Sequence, residues 1–224
     1  MEADPCHSQV PCVLHRERDW VAVHKPAGWH SVVQSRSDGS PTVEEWLRQG
    51  EPALAALEDS GLVHRLDKGT SGCLIAATTV PARESLRDAF TAGEFGARLI
   101  TKRYLARLSA AVEDRGEFSA HFSGRHKRSA KVTVSRAGAP NTQGTIRWSI
   151  LDRGSNLFDV ELVGPGRRHQ IRAGFASLGA PLVGDTLYGG PAHPSGFHLL
   201  HAWQVQLDGV VVESPRPTWA HARA

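Results

Sequence analysis

The chain has 224 residues, a net charge of +3 and a sequence pI near 9.0, which gives length for a sizeable core and a basic excess too mild to imply nucleic-acid binding unless the cations cluster. No run approaches the ~20 apolar residues that span a bilayer, and the acidic opening MEADPCHSQV is unlike a secretory signal. Cys6, Cys12 and Cys73 lack the spacing of a disulfide framework, so a soluble protein of the reducing cytoplasm is expected, and the repeats or low-complexity tracts of a solenoid or scaffold are absent.

Residues 1–12 read as a loose tail and 13–224 as one domain. Cys6, His7, Cys12 and His15 match no common zinc-finger spacing, so no metal is expected. DWVAVHKPAGW is an alternating strand running into a Lys-Pro-Ala-Gly turn, where proline fixes one dihedral and glycine permits another. PTVEEWLRQG carries a capping box, Thr42 with Glu45, and opens a helix. GLV and CLIAATT are short buried strand segments on either side of HRLDKGTSG. A second helix runs from about Pro81 to Ala92, with Leu86, Ala89 and Phe90 on one face and Gly93 as its stop.

TKRYLARLSA changes period. Lys102, Tyr104, Ala106 and Leu108 share one strand face, opposite Arg103, Leu105 and Arg107. KVTVS, TIRWSIL and LFDVELV are further strands, rich in β-branched residues and separated by turn residues. A third helix follows GPGRR: Ile171, Phe175 and Leu178 form its core stripe, Gly179 ends it, and Arg168 and Arg172 flank the stripe. Helices interspersed among such strands predict an α+β fold on one mixed, mostly antiparallel sheet with flanking helices. RGEFSAHFSGRHKRS is the best candidate for a seam between two halves, with a basic surface loop as the alternative.

The cations do cluster, at Lys102-Arg103, at Arg125–Arg128 followed by Lys131, and at Arg167-Arg168-His169, although any one such patch is commonly a solubilising face. Asp67 lies between Arg65 and Lys68, where a solvated ion pair is the common outcome. The buried segments around it instead put this carboxylate on a loop where two core elements meet. Gly164-Pro165-Gly166 before a helix offers backbone N–H groups to a phosphate, or is plain turn chemistry. Asp185 reads most simply as a turn residue.

WVAVHKPAGW, HRLDKGTSGCLIA, KRYLARL, GRRHQIRAGFASLGAPLVGDTLYGG and LLHAWQVQL occur in that order. Together they resemble the motifs of pseudouridine synthases of the RluA family and cover most of the chain beyond residue 20. The resemblance implies the pseudouridine synthase fold with a central active-site cleft, conversion of selected uridines in ribosomal or transfer RNA to the C5-linked isomer, and no cofactor. It implies RNA as the partner, with no membrane and no obligatory protein partner. Asp67 matches the catalytic aspartate, Tyr104 the active-site tyrosine, and Arg172 the arginine that pairs with the aspartate. Arg65 matches the residue that manages the flipped nucleotide, and Leu200 the apolar residue against the base. His64, Arg167, His169 and Gln170, within the same motifs, are carried over as substrate-binding residues.

The reaction asks for such a set. Asp67 has three routes open to it: attack on the ribose anomeric carbon, addition to the uracil ring, or removal of a ribose proton, each requiring the ionised form. Arg172 suits it better than Lys68, because a planar fork fixes a carboxylate's orientation. Tyr104 stacks on the flipped base or relays the C5 proton, against the alternative of an ordinary core tyrosine. The family usually has threonine, glycine and arginine before HQIR and a histidine two residues after it; Pro165 and Gly174 stand among the corresponding positions here, which bears on RNA specificity more than on the reaction. The chain leaves no room for an S4-type domain ahead of these motifs, so recognition is expected from the catalytic domain alone. The rival readings are a ribosyl hydrolase, for which no second carboxylate is evident, and a non-catalytic RNA-binding factor, which needs no Asp67, Tyr104 and Arg172 together.

Overall fold

All six residues of strand β2, Trp20–Lys25, are buried, including His24 and Lys25. The strand pairs antiparallel on both sides, with β1 (Cys12–Arg16) and β3 (Ser71–Ala77), so the alternation in its sequence is not an alternation of exposure. In this computed structural model residues 9–34, 38–92, 99–124 and 129–221 are described. The chain divides into two compact units, Met1–Ile100 with Ala202–Pro215, and Thr101–His201 with Arg216–Ala224.

The first unit carries β1, β2 and β3, then β9 (Leu200–Leu207) from Ala202 onward and β10 (Val210–Glu213) in an antiparallel hairpin with it. Its core joins Trp20, Ile75, Leu86, Phe90 and Leu207. Helix α1 is Val43–Gly50, as the capping box predicts: the Thr42 hydroxyl accepts from the Glu45 N–H at 3.0 Å and donates to Glu45 Oε2 at 2.8 Å. A short α2 (Pro52–Ala55) follows, and α3 (Val80–Ala92) buries Leu86, Ala89 and Phe90 on the expected face. GLV forms one bridge, Leu62 with Ala76, rather than a strand. The expected stop Gly93, like Cys6, His7 and the Arg125–Arg128 cluster, lies outside the described residues.

In the second unit β4 (Ile100–Arg107), which enters it at Thr101, pairs with β8 (Leu157–Val163), and β8 with β7 (Gln143–Asp152). Next come β5 (Arg115–Ser123), paired with β7, and β6 (Thr133–Ser135), paired with β5, each of these four ladders antiparallel. The segment expected as a seam is thus mostly β5. Ala120 and Phe122 are buried, Phe118 packs against the same cluster, and the units divide elsewhere. Helix α4 is Gln170–Ser177, with Ile171 and Phe175 buried. Leu178 caps it and is 39% exposed, so it does not extend the core stripe.

Candidate active site

Within the first unit, Asp67 sits on a loop pinned at both shoulders. The Ser31 hydroxyl donates to the Leu66 carbonyl at 3.0 Å and accepts from the Leu66 N–H at 2.9 Å. Beyond Asp67, the Thr70 N–H donates to the Asp67 carbonyl at 3.0 Å, and the Gly28 N–H to the Lys68 carbonyl at 2.8 Å. Gly72, at φ +116°, turns the chain into β3 so close to Ala202 that a Cβ would lie 2.2 Å from its carbonyl oxygen. Lys68 does not form the solvated pair with Asp67 that its place in the sequence offers as the alternative. Its ammonium meets Asp38 Oδ2 at 2.7 Å, an interaction that holds the Asp38 carboxyl well below the usual carboxylate range. Arg65 is exposed, while His64 accepts from the Ile75 N–H at 3.1 Å and stacks on Phe90 with ring centroids 4.3 Å apart.

Beneath this loop lies Lys25, a residue that sequence reasoning left in a turn motif. Its side chain is 0% exposed and donates to three carbonyls: Pro26 at 3.0 Å, Trp29 at 2.7 Å and Lys68 at 3.2 Å. Burial lowers its pKa to about 7, and the charge of Asp67 opposes that shift.

The second unit holds Tyr104, Arg172, Leu200, Arg167, His169 and Gln170. Tyr104 is buried on β4, on the same face as the buried Lys102, whose ammonium donates to the Gly164 carbonyl at 2.5 Å and whose pKa burial and Arg167 lower to about 8. Arg172 is buried on α4 and grips Asp185 at two points, Nε to Oδ2 at 2.7 Å and Nη2 to Oδ1 at 2.9 Å. Its guanidinium carbon lies 5.4 Å from the centre of the Tyr188 ring. The Tyr188 hydroxyl in turn accepts from the Val132 N–H at 2.8 Å and bonds His169 Nδ1 at 2.9 Å. Asp185 is therefore more than a turn residue, and Gly184 before it, at φ +83°, passes where a Cβ would lie 2.1 Å from the Phe197 carbonyl oxygen.

The GPGRR turn is less open to an anion than its sequence implies. The Arg167 N–H donates to Gln170 Oε1 at 2.8 Å, and the Gln170 amide donates to the Thr145 carbonyl at 2.9 Å, so Gln170 braces the turn against β7. Arg168 is spent on the carbonyls of Ser129 and Ala130, at 2.6 and 2.7 Å. Leu200 is buried at the start of β9. Among the described residues no group of three or more His, Cys, Asp or Glu side chains is arranged to hold a metal ion.

A family model described as RNA pseudouridylate synthase matches residues 19–177. The chain belongs to this family. Ribosomal large subunit pseudouridine synthase D of Xylella fastidiosa is 32% identical over 194 residues, covering 85% of this chain and 55% of the relative. The protein of that name from Nitrosomonas europaea is 31% identical over 223 residues, covering 92% and 62%. The chain thus spans little more than half the length of such curated relatives. Among solved structures, human RNA pseudouridylate synthase domain containing 1 superposes with a TM-score of 0.63 at 25% identity, covering 97% of this chain and 86% of that one. Human RNA pseudouridylate synthase domain containing 4 gives 0.67 at 19% identity, covering 93% and 89%, a likeness of fold. The α+β fold with a mostly antiparallel sheet is accordingly that of the pseudouridylate synthases. The matched span includes Lys25, Asp67, Tyr104 and Arg172; Asp185, Tyr188 and Leu200 lie beyond it.

Proposed function

We propose that the chain is an RNA pseudouridine synthase acting on uridines of large-subunit ribosomal RNA, with residues 13–224 as its catalytic domain and Asp67 as nucleophile or base. The observation that carries this reading is the Asp67 loop itself: in a member of this family, the signature aspartate stands on a backbone pinned at Leu66, Lys68 and Thr70, while Lys68 turns to Asp38. The names of the relatives favour ribosomal over transfer RNA as substrate.

The chemistry is an isomerisation that balances without a co-reactant. The N1–C1′ glycosidic bond breaks, the uracil turns within the site, C5 bonds to C1′, and the C5 proton leaves as N1 regains one. Asp67 supports bond cleavage by attacking the sugar or the ring or by taking a ribose proton. Tyr104 stacks on the base or relays the C5 proton, and Arg172 is the planar cation that the family resemblance assigns to the aspartate. Leu200 packs against the uracil and Arg65 engages the extruded nucleotide. Arg167 and His169 contribute contacts to RNA, His64 shapes the signature loop, and Gln170 supports the turn that presents Arg167. No cofactor or protein partner is invoked. A cytoplasmic location suits the substrate, and among the described residues no helix is long and apolar enough to cross a membrane.

The deciding experiment maps pseudouridine in total cellular RNA with and without this gene, then repeats the reaction with purified protein on the RNA so named. Loss of one or more ribosomal sites, restored by the parent and not by Asp67→Asn, is the expected result. Free uracil and an abasic ribose in place of pseudouridine would make the chain a ribosyl hydrolase. An unchanged map in both assays would leave only a binding role.

A further inference from the structure

We infer that Lys131 is a phosphate contact for the RNA, held out on a short strap of backbone, residues 129–132, that Arg168 and Tyr188 fasten beside Arg172. The inference rests on the reading of the chain as an RNA enzyme, and it adds the place where the second unit grips the backbone of that RNA.

The net charge of +3 conceals a division of charge along the chain. The second unit, Thr101–His201 with Arg216–Ala224, has 16 lysines and arginines against 7 acidic residues, whereas the first has 10 against 16. A polyanion is therefore drawn to the second unit. Four of its acids, Asp114, Glu117, Asp159 and Asp185, are already taken by arginines. Among the described residues, Lys131, Arg167 and Arg168 form no ion pair. Carbonyl oxygens anchor Arg167 and Arg168 without neutralising them, so this group keeps its charge for a ligand.

An exposed lysine is ordinarily a solubilising charge. Lys131 differs in the backbone that carries it. On one side, Arg168 Nη2 donates to the carbonyls of Ser129 and Ala130 at 2.6 and 2.7 Å. On the other, the Val132 N–H donates to the Tyr188 hydroxyl at 2.8 Å, and the Val132 side chain is buried with Ala120, Phe122 and Ala173. Between these anchors Lys131 itself is exposed. The Tyr188 hydroxyl is held in turn by His169 Nδ1 at 2.9 Å, and the Tyr188 ring lies 5.4 Å from the guanidinium carbon of Arg172. Lys131 is thus one residue and one hydrogen bond away from the ring that neighbours Arg172, and a phosphate met there belongs to the RNA entering the site. A backbone already fixed lowers the entropy lost in ordering such a contact.

The test is the affinity of the whole chain for a transcript of large-subunit ribosomal RNA, measured across a range of salt. Lys131→Ala should make the plot of log affinity against log salt shallower by about 0.7–0.9, the share of one phosphate contact, and weaken binding at low salt about 3- to 10-fold. A slope equal to the parent's would overturn the assignment. The strap is tested by a double-mutant cycle with Tyr188→Phe, which removes the hydroxyl that seats Val132. That change should weaken binding when Lys131 is present and cost nothing further once it is alanine, whereas losses that add in full would overturn the strap. Should Tyr188→Phe not fold, acylation of the parent's lysines, read by mass spectrometry, decides. Lys131 should react several-fold more slowly with the transcript bound, and equal rates with and without it would overturn the proposal. A parent that forms pseudouridine but shares its salt slope with Lys131→Ala would refute the role of Lys131 alone. The expected change of slope in a parent that forms no pseudouridine would refute the proposed function alone.

Discussion

Asp185 holds the Arg172 guanidinium by two hydrogen bonds, at 2.7 and 2.9 Å, with both side chains almost completely buried. The contact fixes the plane of the fork, and the Tyr188 ring lies 5.4 Å from its carbon. Asp185→Asn removes the charge and puts an amide donor where a carboxylate oxygen accepts, leaving a buried cation poorly compensated. Breaking such a pair costs about 3–5 kcal/mol. Chemical denaturation of Asp185→Asn should register a loss of that order, and single-turnover pseudouridine formation should fall at saturating RNA. A loss under about 1 kcal/mol would show that Asp185 acts as the simple turn residue its sequence implies.

Arg172→Lys should then be a poor conservative change. Lysine keeps the charge and loses the fork, so it serves one Asp185 oxygen where arginine serves both. The expected result is a large fall in single-turnover rate with RNA affinity little changed. A near-normal rate would make Arg172 a structural brace and move the cation assigned to Asp67 onto Arg65 or Lys25.

The buried lysines give stability a defined pH dependence. Lys25 falls from 10.5 unfolded to about 7 folded, and Lys102 from 10.5 to about 8. Between the folded and unfolded values the unfolded chain binds more protons, so both contributions raise stability as pH increases from about 7. Cys73 acts in the opposite sense. Its thiol rises from 9.0 to about 12, so above pH 9 the unfolded chain loses a proton that the folded chain retains, and stability declines. Denaturant midpoints should climb between pH 7 and 9, climb more slowly as Cys73 begins to oppose the two lysines, and fall above about 10.5. A steady fall across that interval would contradict the burial of charged Lys25 and Lys102.

What was legible in the sequence is what local pattern encodes. LFDVELV coincides with β8, and the Thr42–Glu45 box opens α1 where its spacing says it should. β5 was obscured because charged and small residues interleave with Phe118, Ala120 and Phe122, whose period of two is the inward face of a strand. The signature loop marked Asp67, but Lys25 and Asp185 take their importance from long-range partners: a carbonyl 43 residues away and a guanidinium 13 residues away. No spacing rule reports such pairings, although a lysine directly ending an apolar strand was a usable signal for the first.

Gly72→Ala tests whether the Asp67 loop needs its backbone geometry. The position combines φ +116° with a Cβ site 2.2 Å from the Ala202 carbonyl oxygen, so alanine brings both strain and a clash with backbone that cannot swing aside. Strain of this kind alone costs about 1–3 kcal/mol. The variant should melt lower and lose turnover together; parent-like melting and turnover would mean that the loop has another conformation open to it.

The role of Asp67 can be separated from its charge. Asp67→Asn has nearly the same size, still accepts a hydrogen bond, and removes a negative charge from a site that meets polyanionic RNA. If Asp67 is nucleophile or base, this variant should bind RNA at least as well as the parent while pseudouridine formation falls by several orders of magnitude, because an amide is neither. Were Asp67 a solvated turn residue, the change would cost at most ~1 kcal/mol and leave turnover almost untouched. Lys68 already argues against that alternative, since its ammonium is engaged by Asp38 at 2.7 Å. The assay is release of the C5 proton from labelled uridine, followed in a single turnover with enzyme in excess. A rate within a few-fold of the parent would remove Asp67 from the mechanism.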